Sequence, residues 1–245
     1  MTILTIDKGN TATKVKVFND LGRPLHVSIL PAADIDTIAS VIAQYDVTCG
    51  ALCSVGHLDT RLVESLRLLL PDGFMLLTCD SDVPLKVQYD TPRSLGADRV
   101  AAACGAASLL PRTPMLVADA GTALTLDYID DNSTFLGGNI SAGVSLRLRS
   151  LHHFTAALPE VSAQGPLPDF GHDTHTALRC GALRGVAAEI DAAYRVALAK
   201  YPSAKLILTG GDAQLLLPLL PSETICHPDL VSLGLISILK HNEYI

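Results

Sequence analysis

Ile6-Asp7-Lys8-Gly9-Asn10-Thr11 and, nearly half the chain later, Ala118-Asp119-Ala120-Gly121-Thr122 are two versions of one phrase. Each is an apolar run that ends on Asp, then a glycine-containing polar turn, then a second apolar run. Thr2 to Ile6 and Ala12 to Phe18 flank the first turn, and Met115 to Ala118 and Ala123 to Ile129 flank the second. Gly, Asn and Asp between β-prone runs mark hairpins. The repeat predicts two related α/β halves, 1–112 and 113–245, each opening with the same hairpin and facing its sister across a cleft, where ligands tend to bind.

The rest of the chain fits that reading. Leu25 to Leu30, Thr48 to Cys53 and Phe74 to Leu77 are expected strands of the first half. Ile35, Ile38, Ala39 and Ile42 fall at helical spacing behind a capping Asp34. Leu58, Leu62, Leu66 and Leu69 form a second helical stripe, and Leu95 to Leu110 is an Ala-rich helix. In the second half, Thr134-Phe135-Leu136 is an expected strand, Ser145 to Phe154 a helix, and the proline-rich 159–170 a loop. Leu183, Val186, Ala187, Ile190, Tyr194 and Ala197 step along one long helix whose start Asp173 or Thr174 can cap. Lys205 to Thr209 is a strand closed by Gly210-Gly211, and Leu230 to Leu239 a final helix.

Composition narrows the function. The 245 residues are 49% hydrophobic and 18% charged, enough to bury a full core. With 18 Lys and Arg against 25 Asp and Glu the net charge is −7, the wrong sign for non-specific nucleic-acid binding. No apolar stretch approaches the ~20 residues of a membrane span. The N-terminus meets Asp7 before a signal-peptide apolar region can form. Six cysteines without a C-x-x-C pair read as reduced thiols of a cytoplasmic protein. The eight histidines show no zinc spacing. P-loop, G-x-G-x-x-G and G-x-S-x-G patterns are absent.

The two turns carry chemistry as well as geometry. Gly, Asn and Thr expose backbone N–H groups and hydroxyls that can receive phosphate oxygens. Asp7 can hold a metal ion, directly or through water. Lys14 can reach a phosphate as a point charge. Asp119, Gly121, Thr122 and Thr125 offer the same kit at the second turn. A third cluster is Tyr89 with Gly96-Ala97-Asp98-Arg99 at the head of a neutral helix. Asp98 suits the helix dipole, whereas Arg99 does not and points to an anionic ligand. An Asp beside a phosphoryl acceptor can take the hydroxyl proton.

Taken in order, these elements resemble the type III pantothenate kinases. Asp7 to Lys14 is similar to that family's Asp-x-Gly-Asn-Ser/Thr-x-x-Lys/Arg element. Tyr89 with Gly96-Ala97-Asp98-Arg99 resembles its Tyr…Gly-x-Asp-Arg, and Asp119 to Thr125 its Asp-x-Gly-Thr-Ala-x-Thr. Gly137 to Gly143 resembles Gly-Gly-x-Ile-x-Pro-Gly, with Ala142 in place of the proline and no reactive group lost. Gly171-His172-Asp173-Thr174 with Gly181 resembles the element before the family's long helix. The resemblance implies two ribonuclease-H-like halves, as in the acetate kinase, sugar kinase, heat-shock ATPase and actin superfamily. It implies ATP-dependent phosphorylation of pantothenate on its 4′-hydroxyl, the first step of coenzyme A synthesis, by a homodimer. It implies a divalent cation such as magnesium with ATP, and a monovalent one, potassium or ammonium. Asp98 would be the general base. Asp7, Lys8, Gly9, Asn10, Thr11, Ala12, Thr13, Lys14 and Thr122 would hold ATP, and Asp119 the monovalent cation. Tyr89, Gly96, Ala97, Asp98, Arg99 and Thr174 would bind pantothenate, with Thr174 reaching across from the other subunit. Two rivals stay open: another small-molecule kinase of the superfamily, and a non-catalytic regulatory protein on this fold.

Overall fold

Thr2–Lys8 (β1) is buried on both faces over residues 3–6, as a central strand covered on both sides must be. It pairs antiparallel with β2 (Thr13–Asn19), which pairs antiparallel with β3 (Pro24–Leu30). On the other flank β4 (Cys49–Ser54) runs parallel to β1, and β5 (Phe74–Leu76) parallel to β4. The order is β3-β2-β1-β4-β5. The computed structural model describes residues 1–56, 59–71 and 73–245. They divide into two units, Met1–Pro111 with Asp229–Ile245, and Arg112–Pro228.

One face of the first sheet buries Leu4, Ile6, Val15, Val17 and Leu52 against α1 (Ile35–Gln44) and α2 (Thr60–Leu69). The Asp34 carboxylate accepts from the Thr37 amide at 3.0 Å and starts α1, as expected. The stripe expected on α2 is shifted. Leu62 and Leu66 are buried, but Leu69 is 39% exposed and Val63 and Leu70 take its place. Leu70 lies four residues after Leu66 and so stays on the buried side as the helix ends. Leu58 lies outside the described residues.

After the two-residue strand β6 (Lys86–Val87) and a 3-10 turn at Pro92–Ser94, the other face receives α3 (Ala97–Leu109). Beside it lies α7 (Leu230–His241), the C-terminal helix, packed against β1 and β4. The second unit therefore ends at Pro228 rather than at residue 245. The cause is close packing of α3 on α7 through two glycines. A Cβ on Gly234 would lie 1.7 Å from the Ala101 carbonyl oxygen, and one on Gly105 2.1 Å from that of Leu230. Thr5 Oγ1 donates to Ser232 Oγ at 3.0 Å, and the buried Lys16 ammonium pairs with Asp229. Gly234→Ala is expected to cost about 1–3 kcal/mol by overpacking, read as a lower urea midpoint. An unchanged midpoint would show that the helices can part without loss.

The second unit repeats the plan. Here β7 (Met115–Ala120) pairs antiparallel with β8 (Ala123–Ile129), and β8 with β9 (Thr134–Ala142). On the other flank β10 (Lys205–Thr209) is parallel to β7 and β11 (Ile225–Cys226) parallel to β10. The run β9-β8-β7-β10-β11 mirrors β3-β2-β1-β4-β5, so the duplicated hairpin opens two copies of one topology. β9 is longer than Thr134-Phe135-Leu136. Gly137-Gly138 does not end it but lets it bulge: Gly137 has φ +118°, and a Cβ on Gly138 would lie 2.1 Å from the Leu126 carbonyl oxygen.

Three helices complete this unit: α4 (Val144–His153), α5 (Thr174–Lys200) and α6 (Ala213–Leu216). The predicted stripe of α5, Leu183 through Ala197, is buried against β7, β8 and β10. Its cap is Asp173, whose carboxylate accepts from the Thr176 amide at 2.9 Å while Thr176 Oγ1 accepts from the Asp173 amide at 3.2 Å. Thr174 is exposed and outside this reciprocal cap. Among the described residues no helix is long and apolar enough to cross a membrane.

Candidate active site

The first hairpin places its charged residues by register. Asp7 lies opposite Lys14 and Lys8 opposite Thr13, and the Gly9 amide closes the loop on the Ala12 carbonyl at 3.0 Å. Asn10 and Thr11 stand exposed at the tip. The Asp7 side chain is only 12% exposed, and its Oδ2 lies 3.4 Å from Lys14 Nζ. Its Oδ1 accepts from the Cys53 thiol at 3.7 Å. Cys53 was not legible as a site residue, because the register of β4 on β1 is set through α1 and not by local spacing.

Asp98 belongs to the same unit. Gly96 is the N-cap of α3, with ψ 134° aiming the chain into the helix. A Cβ there would lie 2.5 Å from Asp98 Oδ1, so the Gly of Gly-Ala-Asp-Arg makes room for the carboxylate. Asp98 Oδ1 accepts from the Arg99 amide at 2.9 Å. Burial raises the Asp98 pKa from its ordinary value; the Arg99 amide opposes this and the Asp7 charge adds to it. Arg99, whose place in the first turn the dipole disfavours, is 5% exposed, and its guanidinium lies 5.8 Å from the centre of the Tyr89 ring. The structure thus gathers Asp7, Lys14 and Cys53, and pairs Arg99 with Tyr89.

The second turn is built by close approach. The Gly121 amide donates to the Ala123 carbonyl at 3.0 Å, and the Gly143 amide to the Thr122 carbonyl at 3.0 Å. A Cβ on Gly143 would lie 2.1 Å from the Gly121 oxygen. Gly210, at φ +98°, leaves space beside Asp119: a Cβ there would lie 2.5 Å from Asp119 Oδ1. Ala142, in the expected proline position, sits in the β8–β9 ladder opposite Ala123, and its carbonyl accepts from Arg147 Nε at 2.8 Å. The turn is held without proline. Asp212, whose amide donates to the Ala120 carbonyl at 2.9 Å, has its carboxyl raised by burial. It follows Gly210-Gly211 directly, and that pair was its one sequence signal.

No group of three or more His, Cys, Asp or Glu among the described residues could hold a metal ion. Asp7 and Asp119 instead offer single carboxylates. That donor set suits an ion that brings its remaining ligands as phosphate oxygens and water.

Two solved structures have this architecture. A glucokinase of the ROK family from Streptomyces griseus, determined with glucose and AMPPNP, superposes with a TM-score of 0.58 over 98% of this chain and 99% of its own, at 13% identity. A Campylobacter jejuni protein assigned to the Baf family of transcriptional activators superposes with a TM-score of 0.65 over 99% and 100%, at 26% identity. The shared fold is two α/β units, each built on a mixed sheet. A family model described as type III pantothenate kinase matches residues 3–196. The type III pantothenate kinase of Porphyromonas gingivalis is 39% identical over 242 residues, 98% of each chain. The chain belongs to the type III pantothenate kinase family.

Proposed function

We propose that this chain is an ATP-dependent pantothenate kinase that makes 4′-phosphopantothenate at the start of coenzyme A synthesis. The carrying observation is Asp98, a half-buried carboxyl at a helix start in a chain of this family. The acceptor 4′-oxygen forms the new bond to the γ-phosphorus, the bond to the β,γ-bridging oxygen breaks, and ADP leaves. The hydroxyl proton passes to Asp98. Such a transfer asks the protein mainly for positioning and charge neutralisation. The turn from Asp7 to Lys14 and Thr122 hold the nucleotide, with backbone amides and the Lys14 ammonium on phosphate. Arg99, steadied by Tyr89, offers a planar donor fork to the carboxylate of pantothenate, with Gly96 and Ala97 beside it.

The finer assignments belong to the same proposal. Asp7 would hold, as a single carboxylate, a magnesium ion brought by ATP, which would offset phosphate charge. Asp119 would hold potassium or ammonium. The enzyme is a homodimer in which Thr174 of the partner subunit completes the pantothenate site. Its six free cysteines fit a reducing cytoplasm.

Turnover of pantothenate with ATP, magnesium and potassium tests the reading. Consumption of ATP with a sugar but not with pantothenate would move the chain to another small-molecule kinase. No turnover with any acceptor would leave a regulatory role, the kind named for the C. jejuni structure. Potassium in place of sodium is expected to raise the rate, and Asp119→Ala to abolish that response. Equal wild-type rates in both salts would remove the cation from Asp119.

A further inference from the structure

Lys14, Asp7 and Cys53 lie side by side on β2, β1 and β4, in direct register across three neighbouring strands. Side chains in register point to the same face of a sheet. The Asp7 carboxylate is thus held from both flanks, Oδ2 by the Lys14 ammonium at 3.4 Å and Oδ1 by the Cys53 thiol at 3.7 Å. We propose that Cys53 is a positioning residue: its S–H donates to Asp7 Oδ1 and fixes the carboxylate plane in which Asp7 meets the magnesium-bound phosphates of ATP. This rests on the nucleotide role proposed for Asp7.

The surroundings keep the thiol a donor. Cys53 is fully buried, with its sulfur 3.7 Å from Asp7 Oδ1. A neutral thiol donates its S–H to that oxygen and leaves Asp7 Oδ2 with Lys14. A plain packing role makes a different demand, for volume alone, because β4 is buried through Cys49, Ala51, Leu52 and Cys53.

Volume and donor can be separated by substitution. Cys53→Val fills the space without a donor, whereas Cys53→Ser keeps a donor and leaves a small void. The expected result is a rise of about tenfold in the ATP KM, and in the Kd for magnesium·AMPPNP, for Cys53→Val. Cys53→Ser should stay within about threefold of wild type, with kcat changed less than KM in both. AMPPNP binding without valine-induced weakening, or serine weakened as much as valine, overturns the proposal. If Cys53→Val does not fold, Cys53→Ala takes its place and must again bind the analogue more weakly than Cys53→Ser. A wild-type chain that binds AMPPNP but does not phosphorylate pantothenate defeats the proposed function and leaves this comparison intact.

Discussion

Asp98→Asn is expected to slow turnover by about 10²–10⁴-fold, the usual scale for losing a general base, with the ATP KM nearly unchanged. The amide keeps an oxygen for the Arg99 N–H but cannot take the acceptor's proton. The same change is expected to make the protein more stable at neutral pH. Burial raises the folded-state pKa of Asp98, so the folded protein favours the protonated carboxyl more than the unfolded chain does. Its stabilising contribution is full below the unfolded carboxylate value and is lost as pH rises through the folded one. At pH 7 the ionised group is a burden that asparagine removes. The melting temperature of Asp98→Asn should exceed that of wild type at pH 7, and the gap should close as pH falls into the carboxylate range. In wild type, kcat/KM should fall on the acid side at a pH above that of an ordinary Asp. A variant that is within twofold of wild-type rate would falsify the base assignment. One that is slow and also less stable at pH 7 would mark Asp98 as structural.

What could be read in advance follows from which interactions are local. The Asp7–Lys14 register was legible because a short hairpin loop ties two positions seven residues apart to opposite places on adjacent strands. The caps at Asp34 and Asp173 were legible because capping acts within one turn, although only the coordinates choose Asp173 over Thr174. Non-local choices were hidden. The pairing of Asp7 with Cys53 depends on a parallel crossover through α1. The return of α7 to the first unit depends on two glycines more than a hundred residues apart in the chain, Gly105 and Gly234, meeting backbone to backbone. β9 runs past Gly137-Gly138 because Asp127 and Leu126 on the neighbouring strand leave no room for a side chain there, which makes glycine a requirement of the strand and not its end.

The cap also sharpens the expectation for Thr174. Asp173 and Thr176 already satisfy the start of α5, and Thr174 stands exposed at its first position. A hydroxyl with no part in the cap should be dispensable for stability, so Thr174→Ala is expected to melt like wild type rather than lose the ~1 kcal/mol of a missing cap. If Thr174 instead completes the neighbouring subunit's pantothenate site, Thr174→Ala should raise the pantothenate KM sharply and leave the ATP KM alone. The geometry of a two-fold dimer then makes a stronger demand. Each site would combine Asp98 of one chain with Thr174 of the other. A homodimer of either variant has two damaged sites, whereas a dimer of one Asp98→Asn chain and one Thr174→Ala chain gathers both lesions in one site and leaves the other whole. At random subunit exchange half the dimers are mixed, so two nearly dead preparations, assayed at low pantothenate, should together recover about a quarter of wild-type activity. A mixture no more active than its parts, with exchange confirmed by mass spectrometry, would return Thr174 to its own subunit's site or remove it from any. Recovery together with an unchanged melting temperature would establish a site that neither chain completes alone.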